Sequence, residues 1–331
     1  MSHYHITSRQ QMRRGFTLIE LLVVIVIIGI LASLAFVGGR EAVRAARRGI
    51  IKNEISQVEM ALERYKEKFG EFPPDFSDEA AVMRHVRKRW PNMNWQNQPQ
   101  TMATFCAMIN AASGSFGYNL TPPPNVINDC EDKSNAAHVG ALAFWLGGIP
   151  DNNGMLSGFS ADVSNPLGVT LNGSNWTSNG ITQWDKDSQF MDLTIGKNCE
   201  IVDGLPVITA YGYPIAYFKP NAAGKYIEKA FPNEPQCVHL HNILTGNPKW
   251  EDLGVAVPYA KTNAPDPSDA VWHNPKSYQL IHPGLDGKFG DRTQNEFRAL
   301  DPAKDVQINC TLADNDNQAN FGGTTIESAG N

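Results

Sequence analysis

The sequence predicts an α+β protein with a long N-terminal helix. Three observations carry this prediction. Residues 16–37 form an apolar run that contains a single charged side chain, Glu20. Residues 40–69 place apolar side chains at the spacing of one helix face. Residues 211–217 then alternate in the way that is typical of a half-buried strand.

Charge is distributed unevenly along the chain. The 331 residues carry 28 basic and 34 acidic side chains, for a formal net charge of −6. Residues 1–15 hold three arginines and no acid, whereas residues 70–331 hold 17 basic and 28 acidic side chains. This pattern argues against an all-cytosolic globular protein, a disordered chain and a basic nucleic-acid binder, so no nucleic acid is expected as a partner. It indicates an acidic domain tethered to a membrane.

The apolar run is long enough to cross a bilayer. A helix over residues 16–37 would extend roughly 33 Å, close to the thickness of the hydrocarbon layer. A signal peptide would have a shorter apolar core followed by a small-residue cleavage site, which is not evident here. We therefore predict a transmembrane helix. The basic flank at residues 9–14 favours a cytoplasmic N-terminus, but arginines at 40–48 weaken an orientation based on charge alone.

Glu20 is the unusual residue of this run. A carboxylate in an apolar span is expensive, by about 3 kcal/mol on insertion scales, and therefore suggests a functional group with a partner. The alternative is that Glu20 lies near the end of the span and reaches the headgroups.

The N-terminus resembles that of type IV prepilins and type II secretion pseudopilins, over "RRGFTLIELLVVIVIIGILASLA". The resemblance implies that residues 1–15 are a leader, that prepilin peptidase cuts after Gly15, and that the new amine of Phe16 is N-methylated. It also implies that Glu20 of one subunit neutralises the Phe16 amine of its neighbour during assembly.

Residues 38–69 are expected to form an amphipathic stalk helix. Its apolar side chains follow a 4-3-4-3-4 spacing, which indicates a face that packs on the globular domain rather than one that holds a cofactor. They are Ile51, Ile55, Val58, Leu62, Tyr65 and Phe69. Gly70 and the following Pro73-Pro74 predict the end of the helix. Gly38-Gly39 stands near the place where pilins often have a proline and predicts a weak point.

Residues 70–331 are expected to form a pilin-like globular domain. Four segments resemble pseudopilin sequences in the same order along the chain: 65–75, 210–218, 277–291 and 313–321. The resemblance implies a small antiparallel sheet packed on the long helix, with Ser277–Ile281 as one strand. Insertions at about 76–208, 219–276 and 292–312 divide this core.

The first insertion contains two kinds of predicted structure. Residues 78–110 are expected to be partly helical, and Ala136–Leu146 is predicted as a short apolar helix that ends at Gly147-Gly148. Residues 151–183 are rich in Asn, Gly, Ser and Asp, which indicates turns and surface loops.

Four aspartates are candidate ligands of a structural Ca²⁺ ion: Asp286, Asp291, Asp314 and Asp316. Calcium prefers six to eight oxygen ligands, which Gly- and Asn-rich loops supply. On spacing alone a polar turn is the simpler interpretation, because Asp-Gly is a common turn pair. The resemblance implies calcium, since pseudopilins of this type hold the ion in their C-terminal loop.

Five cysteines are candidates for disulfide bonds, because the predicted location lies outside the cytoplasm. They are Cys106, Cys130, Cys199, Cys237 and Cys310. We expect four to be paired and one spare, with a bridge from Cys106 to Cys130 plausible because it closes a local loop. His239 and His241 near Cys237 lack an evident further ligand, so a surface or core-edge role is favoured over zinc.

The function implied by the resemblance is that of a structural subunit in a type II secretion pseudopilus or a related type IV pilus-like filament. Its partners would be other copies or other pseudopilins, prepilin peptidase and an inner-membrane assembly platform. It would cross the bacterial inner membrane once, with its C-terminal domain in the periplasm or on an extracellular filament. A minor pilin that binds or tips a filament through its insertion is the main alternative. A membrane-anchored exported enzyme is a weaker one, since no catalytic motif is evident.

Overall fold

A computed structural model describes the backbone of residues 16–94, 98–113, 136–202, 205–226, 238–239, 250, 253–262, 267–290, 298–301, 306–308 and 317–321. Among these residues, the side chains of 34–38, 136–139, 202, 205, 238–239, 267, 298–301 and 306–308 are not described.

The chain folds as two units, Met1–Ala46 and Arg47–Asn331. Helix α1 runs from Leu18 to Phe69 and continues through Gly38-Gly39, where a weak point was predicted. Among the described residues, no helix is both long and apolar enough to cross a bilayer. The predicted span, 16–37, includes residues whose side chains lie outside that description.

The apolar face of the stalk is confirmed as a core face. Its side chains are buried at Ile51, Ile55, Val58, Leu62 and Tyr65, and Phe69 packs against them at the edge of the core. The helix ends where predicted, because Gly70 takes a φ of 77° and its N–H donates to the carbonyl of Lys66 at 2.6 Å. The positive φ reverses the chain and favours glycine.

The first insertion contributes three helices: α2 (Glu79–Arg89), α3 (Met102–Ser113) and α4 (Ala136–Gly147). All three agree with the predicted helical segments. Asp78 caps α2 by accepting a hydrogen bond from the N–H of Ala80 at 3.0 Å, which satisfies a donor at the helix start. In α4 the side chains of residues 141–146 are all buried, so this helix is the centre of the core.

Fifteen short strands lie in the described segments: β1 (Phe159–Ser160), β2 (Val169–Asn172), β3 (Asn175–Ser178), β4 (Trp184–Asp185), β5 (Cys199–Val202), β6 (Leu205–Ala210), β7 (Tyr213–Pro214), β8 (Ala216–Phe218), β9 (Val238–His239), β10 (Val255–Ala256), β11 (Tyr259–Ala260), β12 (Gln279–His282), β13 (Arg298–Asp301), β14 (Val306–Ile308) and β15 (Gln318–Ala319). Lys186–Ser188 and Pro267–Asp269 are 3₁₀ turns.

The strands form small sheets. The predicted antiparallel sheet is present in the order β15-β12-β8, and β12 covers most of the strand predicted at 277–281. Leu280 lies opposite Tyr217, and Ile281 lies between Ala216 and Ala319. A second antiparallel sheet has the order β5-β6-β7. The sheet β11-β13-β14 combines a parallel pair with an antiparallel one.

The prediction of one half-buried strand over 211–217 is wrong. The chain turns at Tyr211-Gly212, where φ is 48° and 80°, and this turn joins β6 to β7. The N–H of Tyr211 donates to a carboxylate oxygen of Glu54 on α1 at 2.6 Å. The turn is therefore attached to the stalk, and the buried strand β8 begins only at Ala216.

The segment 151–183 contains more regular structure than predicted. Strands β2 and β3 form a hairpin in which Leu171 lies opposite Trp176 and Asn172 lies opposite Asn175. Gly173 supplies the left-handed residue of its turn, with a φ of 64°. A two-residue Gly-Ser loop between strand-forming residues is a hairpin signal, since Gly suits the first loop position of such a turn, and the loop prediction overlooked it.

Candidate assembly site

The start of α1 is a capping box built from Thr17 and Glu20. The hydroxyl oxygen of Thr17 accepts a hydrogen bond from the N–H of Glu20 at 3.3 Å. In return Oε2 of Glu20 accepts from the N–H of Thr17 at 2.9 Å and from its hydroxyl at 2.7 Å. Reciprocal hydrogen bonds of this kind satisfy donors that a helix start leaves open. The carboxylate predicted to act in assembly thus has a partner inside its own chain.

Thr17 is the site residue that the sequence prediction missed. The pattern Thr-x-x-Glu directly before an apolar run is a recognised helix-start signal, and it is visible in "TLIE" at residues 17–20. Phe16, at the predicted cleavage point, precedes the capping residue and is exposed.

The first turns of α1 present a continuous apolar surface. The large apolar side chains from Phe16 to Leu31 are between 42% and 82% exposed. Soluble monomers rarely leave so many adjacent apolar side chains open to water. This surface therefore needs a cover of lipid or of other helices, and the capping box stands at its N-terminal end.

A buried polar network holds the other end of α1 to α2. Nη1 of Arg89 donates to the hydroxyl of Tyr65 at 2.6 Å, and that hydroxyl lies 2.6 Å from Nε2 of His85. Burial favours the neutral form of His85. In that form Nδ1–H donates to Glu71 at 2.8 Å, and Nε2 accepts from the hydroxyl of Tyr65.

Burial shifts the pKa values of the groups in this network. Burial lowers the pKa of His85 to about 4, against the raising effect of Glu71, and burial raises the pKa of Tyr65 to about 12. Burial also raises the pKa of Glu71, but the hydrogen bond from His85 and the positive charges of Lys219 and Lys88 lower it overall. Tyr65 is inaccessible to substrate, so the arrangement fastens helices rather than performing catalysis.

Aromatic rings surround the buried guanidinium of Arg89. Its Cζ lies 4.6–5.9 Å from ring centroids of Tyr65, Phe69, Trp90, Trp145, Phe159 and Phe190. Cation–π contacts at this distance are worth about 2 kcal/mol when they are shielded from water. They compensate in part for burying a charge.

Comparison with known proteins bears on the N-terminal site. The family described as "Prokaryotic N-terminal methylation motif" matches residues 10–36, which include the capping box and the start of the exposed apolar surface. The chain therefore carries a prokaryotic N-terminal methylation motif, which supports a likeness to prepilins and pseudopilins.

A curated relative supports the same family. The "Type II secretion system core protein G" of Klebsiella michiganensis is 43% identical to this prepilin-like chain over 68 residues. The match covers 20% of the chain and 46% of the relative, so the chain spans less than half the length of the relative that it resembles. No solved structure matches the chain.

Only part of the predicted calcium site is described in this prepilin-like protein. Asp286 is exposed in the turn after β12, and its Oδ1 accepts from the N–H of Lys288 at 2.8 Å. The other three candidates, Asp291, Asp314 and Asp316, lie outside the described residues. Within the described segments, no three His, Cys, Asp or Glu residues group as metal ligands.

The two segments assigned to calcium nevertheless adjoin each other. Asn317, which directly follows Asp316, donates from Nδ2 to the carbonyl of Phe289 at 3.4 Å and to the hydroxyl of Tyr259 at 3.0 Å. The loop before Phe289 is itself fixed, because Nδ1 of His282 accepts from the N–H of Gly284 at 3.0 Å.

Two of the five cysteines are described. Cys106 and Cys199 are free and buried, and burial raises the pKa of each thiol to about 12. Cys106 lies on the inner face of α3 among apolar side chains. Because Cys130 lies outside the described residues, the suggested bridge from Cys106 to Cys130 stays a prediction.

The remaining cysteines and the histidine cluster give no further evidence. Cys130, Cys237 and Cys310 lie outside the described residues, as does His241, and only the backbone of His239 is described, in β9. Pairing among the three cysteines and the roles of the two histidines stay predictions.

Proposed function

We propose that this protein is a structural subunit of a type II secretion pseudopilus or a related type IV pilus-like filament. It is made with a leader of residues 1–15, cut after Gly15 by prepilin peptidase and N-methylated at Phe16. The helix that follows anchors it in the bacterial inner membrane. Its C-terminal domain stands in the periplasm or on the filament.

The observation that carries this proposal is the capping box at the head of an exposed apolar helix. Before assembly, Thr17 satisfies the carboxylate of Glu20 within the chain. Cleavage after Gly15 would create an amine on Phe16, one residue before that cap. The Phe16 amine of a neighbouring subunit can then replace the hydrogen bonds that Thr17 donates to Glu20. Because an unpaired amine or carboxylate is costly in hydrocarbon, this pair would set the register between subunits.

The proposed partners follow from this arrangement. Copies of this chain or other pseudopilins would cover the apolar face of α1, and prepilin peptidase and an inner-membrane assembly platform would act before and during assembly. We propose no enzymatic activity. The one described Tyr–His–Glu arrangement contains a Tyr65 that is completely buried.

A minor pilin remains the second candidate. The insertion supplies α2, α3, α4 and the β2–β3 hairpin, and the outer hairpin residue Leu171 is exposed. A hairpin with an exposed apolar side chain in a bulky insertion suits a binding or tip module. The number of copies per filament, measured by quantitative mass spectrometry, would separate a minor subunit from a major one.

Maturation is the first test. In cells with an active prepilin peptidase, we expect the mature protein to begin at Phe16 and to carry the mass of one added methyl group. Mass spectrometry of the intact N-terminus measures both features. Val43→Ala, a change on an exposed face outside the motif, should be processed equally well.

A mature protein that still begins at Met1 in such cells would contradict the proposed function. Gly15→Leu should abolish cleavage while leaving the described fold intact, because position 15 precedes α1.

Calcium is a separate proposal. If Asp286, Asp291, Asp314 and Asp316 bind the ion together, excess Ca²⁺ should raise the melting temperature relative to a chelator, because a ligand that binds only the folded state stabilises it. Differential scanning fluorimetry measures the shift. Asp314→Asn with Asp316→Asn should remove it, whereas Asp162→Asn, in a distant surface loop, should not. Equal melting temperatures in calcium and chelator would exclude the site.

A further inference from the structure

The exposed side of the stalk carries a groove of about 770 Å³. It is lined by Ser56, Glu59, Met60, Glu63, Arg64 and Tyr278. Its floor is apolar, with Met60 57% exposed beside the ring of Tyr278. Glu59 and Glu63 stand one helical turn apart on its wall.

The guanidinium of Arg64, which lines the groove, already donates hydrogen bonds to two backbone carbonyls. Nη2 of Arg64 donates to the carbonyl of Phe190 at 2.7 Å, and Nε donates to the carbonyl of Met60 at 3.4 Å. Glu59 is hydrogen-bonded by the side chain of Asn320, and Glu63 forms an exposed pair with Lys66, at 3.7 Å. An exposed pair of this kind contributes little. The groove therefore presents two carboxylates and one guanidinium, a formal net charge of −1, beside apolar side chains.

The same chain contains a segment with the complementary pattern. Arg40 and Arg44 are exposed and one helical turn apart, and Val43 between them is 51% exposed. Arg44 has an exposed pair with Glu41 at 3.0 Å, which a better partner can replace. Side chains four residues apart lie on one face of a helix, about 6 Å from each other. Two arginines thus repeat at the spacing of the two glutamates.

We propose that the groove of one subunit binds the Arg40–Arg44 segment of a second copy of this chain. In a parallel arrangement Arg40 pairs with Glu59, Arg44 pairs with Glu63, and Val43 covers Met60 and Tyr278. Partial burial of both ion pairs over an apolar floor makes them stronger than surface pairs. The inference rests on the proposed filament and specifies the register between two stalks.

Cross-linking between two differently tagged full-length copies tests the contact. One copy carries Val43→Cys and the other Met60→Cys, and a short bis-maleimide, which joins two thiols by addition, is applied to intact cells. We expect a mixed dimer well above that of chains without new cysteines, which measures the background of the five native ones. Val43→Cys combined with Val163→Cys, an exposed residue of the insertion, is the matched control.

Charge reversal tests the pairing itself. Glu63→Arg should reduce the mixed dimer about fivefold, the effect of losing one modest ion pair, and Arg44→Glu in the other copy should restore it. Glu67→Arg lies on the same helix outside the groove and should leave the dimer unchanged. Failure of Arg44→Glu to rescue Glu63→Arg would overturn the assigned pairs.

The result is read together with maturation and filament formation in the same cells. Filaments of chains that begin at Phe16, without a mixed dimer above the Val163→Cys control, would overturn the groove contact and leave the proposed function standing. Chains that are not processed and form no filament would overturn the proposed function, and the groove contact with it. The mixed dimer could also disappear when the membrane is extracted while the filaments stay intact. That result would assign the arginines to lipid headgroups and would also contradict the contact.

Discussion

Gly148→Ala is expected to lower the free energy of unfolding by about 4 kcal/mol, because left-handed strain and steric overlap add at this position. Gly148 follows α4 and has a φ of 87°. A Cβ atom there would lie 2.1 Å from the carbonyl oxygen of Gly158, which is backbone and cannot rotate away. The strands near Gly158 would have to move.

The close approach of the two glycines explains the size of the effect. The N–H of Gly158 donates to the carbonyl of Gly147 at 2.8 Å, and the N–H of Ile149 donates to the carbonyl of Gly158 at 2.9 Å. The segment after α4 is thereby paired directly with the segment before β1. Separating them to admit a methyl group would break hydrogen bonds at the edge of the core.

Gly173→Ala is the matched control for this change. Gly173 also has a positive φ, 64°, but a Cβ atom there meets nothing within 4 Å. Backbone strain is then the remaining cost, so we expect the free energy of unfolding to fall by about 1 kcal/mol. Urea unfolding of residues 47–331, followed by tryptophan fluorescence, measures both. Equal losses for the two variants would show that the contact between Gly148 and Gly158 is not a constraint.

The helices were predicted well because the spacing of apolar residues and the residue at the helix end both lie within a short stretch of the sequence. The stripe from Ile51 to Tyr65 repeats at the helix period, and the end at Gly70 needs only a residue that tolerates positive φ. The same reasoning applied to α4, which ends at Gly147 before the left-handed Gly148. These elements follow from neighbours along the chain.

The strand prediction at 211–217 failed because alternation does not distinguish a strand from a turn between strands. Tyr211-Gly212 adopts positive φ, and the carboxylate of Glu54, distant in sequence, accepts a hydrogen bond from the backbone there. The turn depends on this tertiary contact, which no local pattern contains.

The buried network at the end of α1 was also beyond prediction. Arg89 stands in "RHVRKR" among residues that are mostly exposed, and composition alone suggests a solvated helix face. Burial of Arg89 and His85 follows from the aromatic side chains that meet around α4. By contrast, Thr17 and the hairpin turn at Gly173 had clear sequence signals, so those two omissions were avoidable.

Acidification from pH 7 to pH 4 is expected to destabilise the folded domain by about 3 kcal/mol for each of two buried histidines. Burial lowers the pKa of both His85 and His282 to about 4. In the unfolded chain their pKa is about 6.5. Between these values the unfolded state binds more protons, so stability is complete above pH 6.5 and is lost as pH falls towards 4.

His282 gives the cleaner test of this dependence. Its Nε2 donates to the carbonyl of Ala210 at 2.8 Å, and its Nδ1 accepts from the N–H of Gly284, so the neutral ring is required at both nitrogens. Protonation would turn Nδ1 into a second donor that faces an N–H. The contact ties β12 and the following loop to β6, so its loss would release the loop proposed to bind calcium.

His282→Gln removes the titration and keeps an amide that can donate to Ala210. At pH 7 we expect the free energy of unfolding of the variant to be about 1 kcal/mol below that of the wild type, because its hydrogen bonds are imperfect. On acidification to pH 4, the free energy of unfolding of the variant should fall by about 3 kcal/mol less than that of the wild type. Urea unfolding of residues 47–331 at pH 7, 6, 5 and 4 measures the difference. Carboxylates titrate in both proteins, so parallel stability curves would show that His282 does not couple folding to pH. Curves that cross between pH 7 and pH 4, with the variant the more stable protein at pH 4, would identify His282 as one source of acid sensitivity.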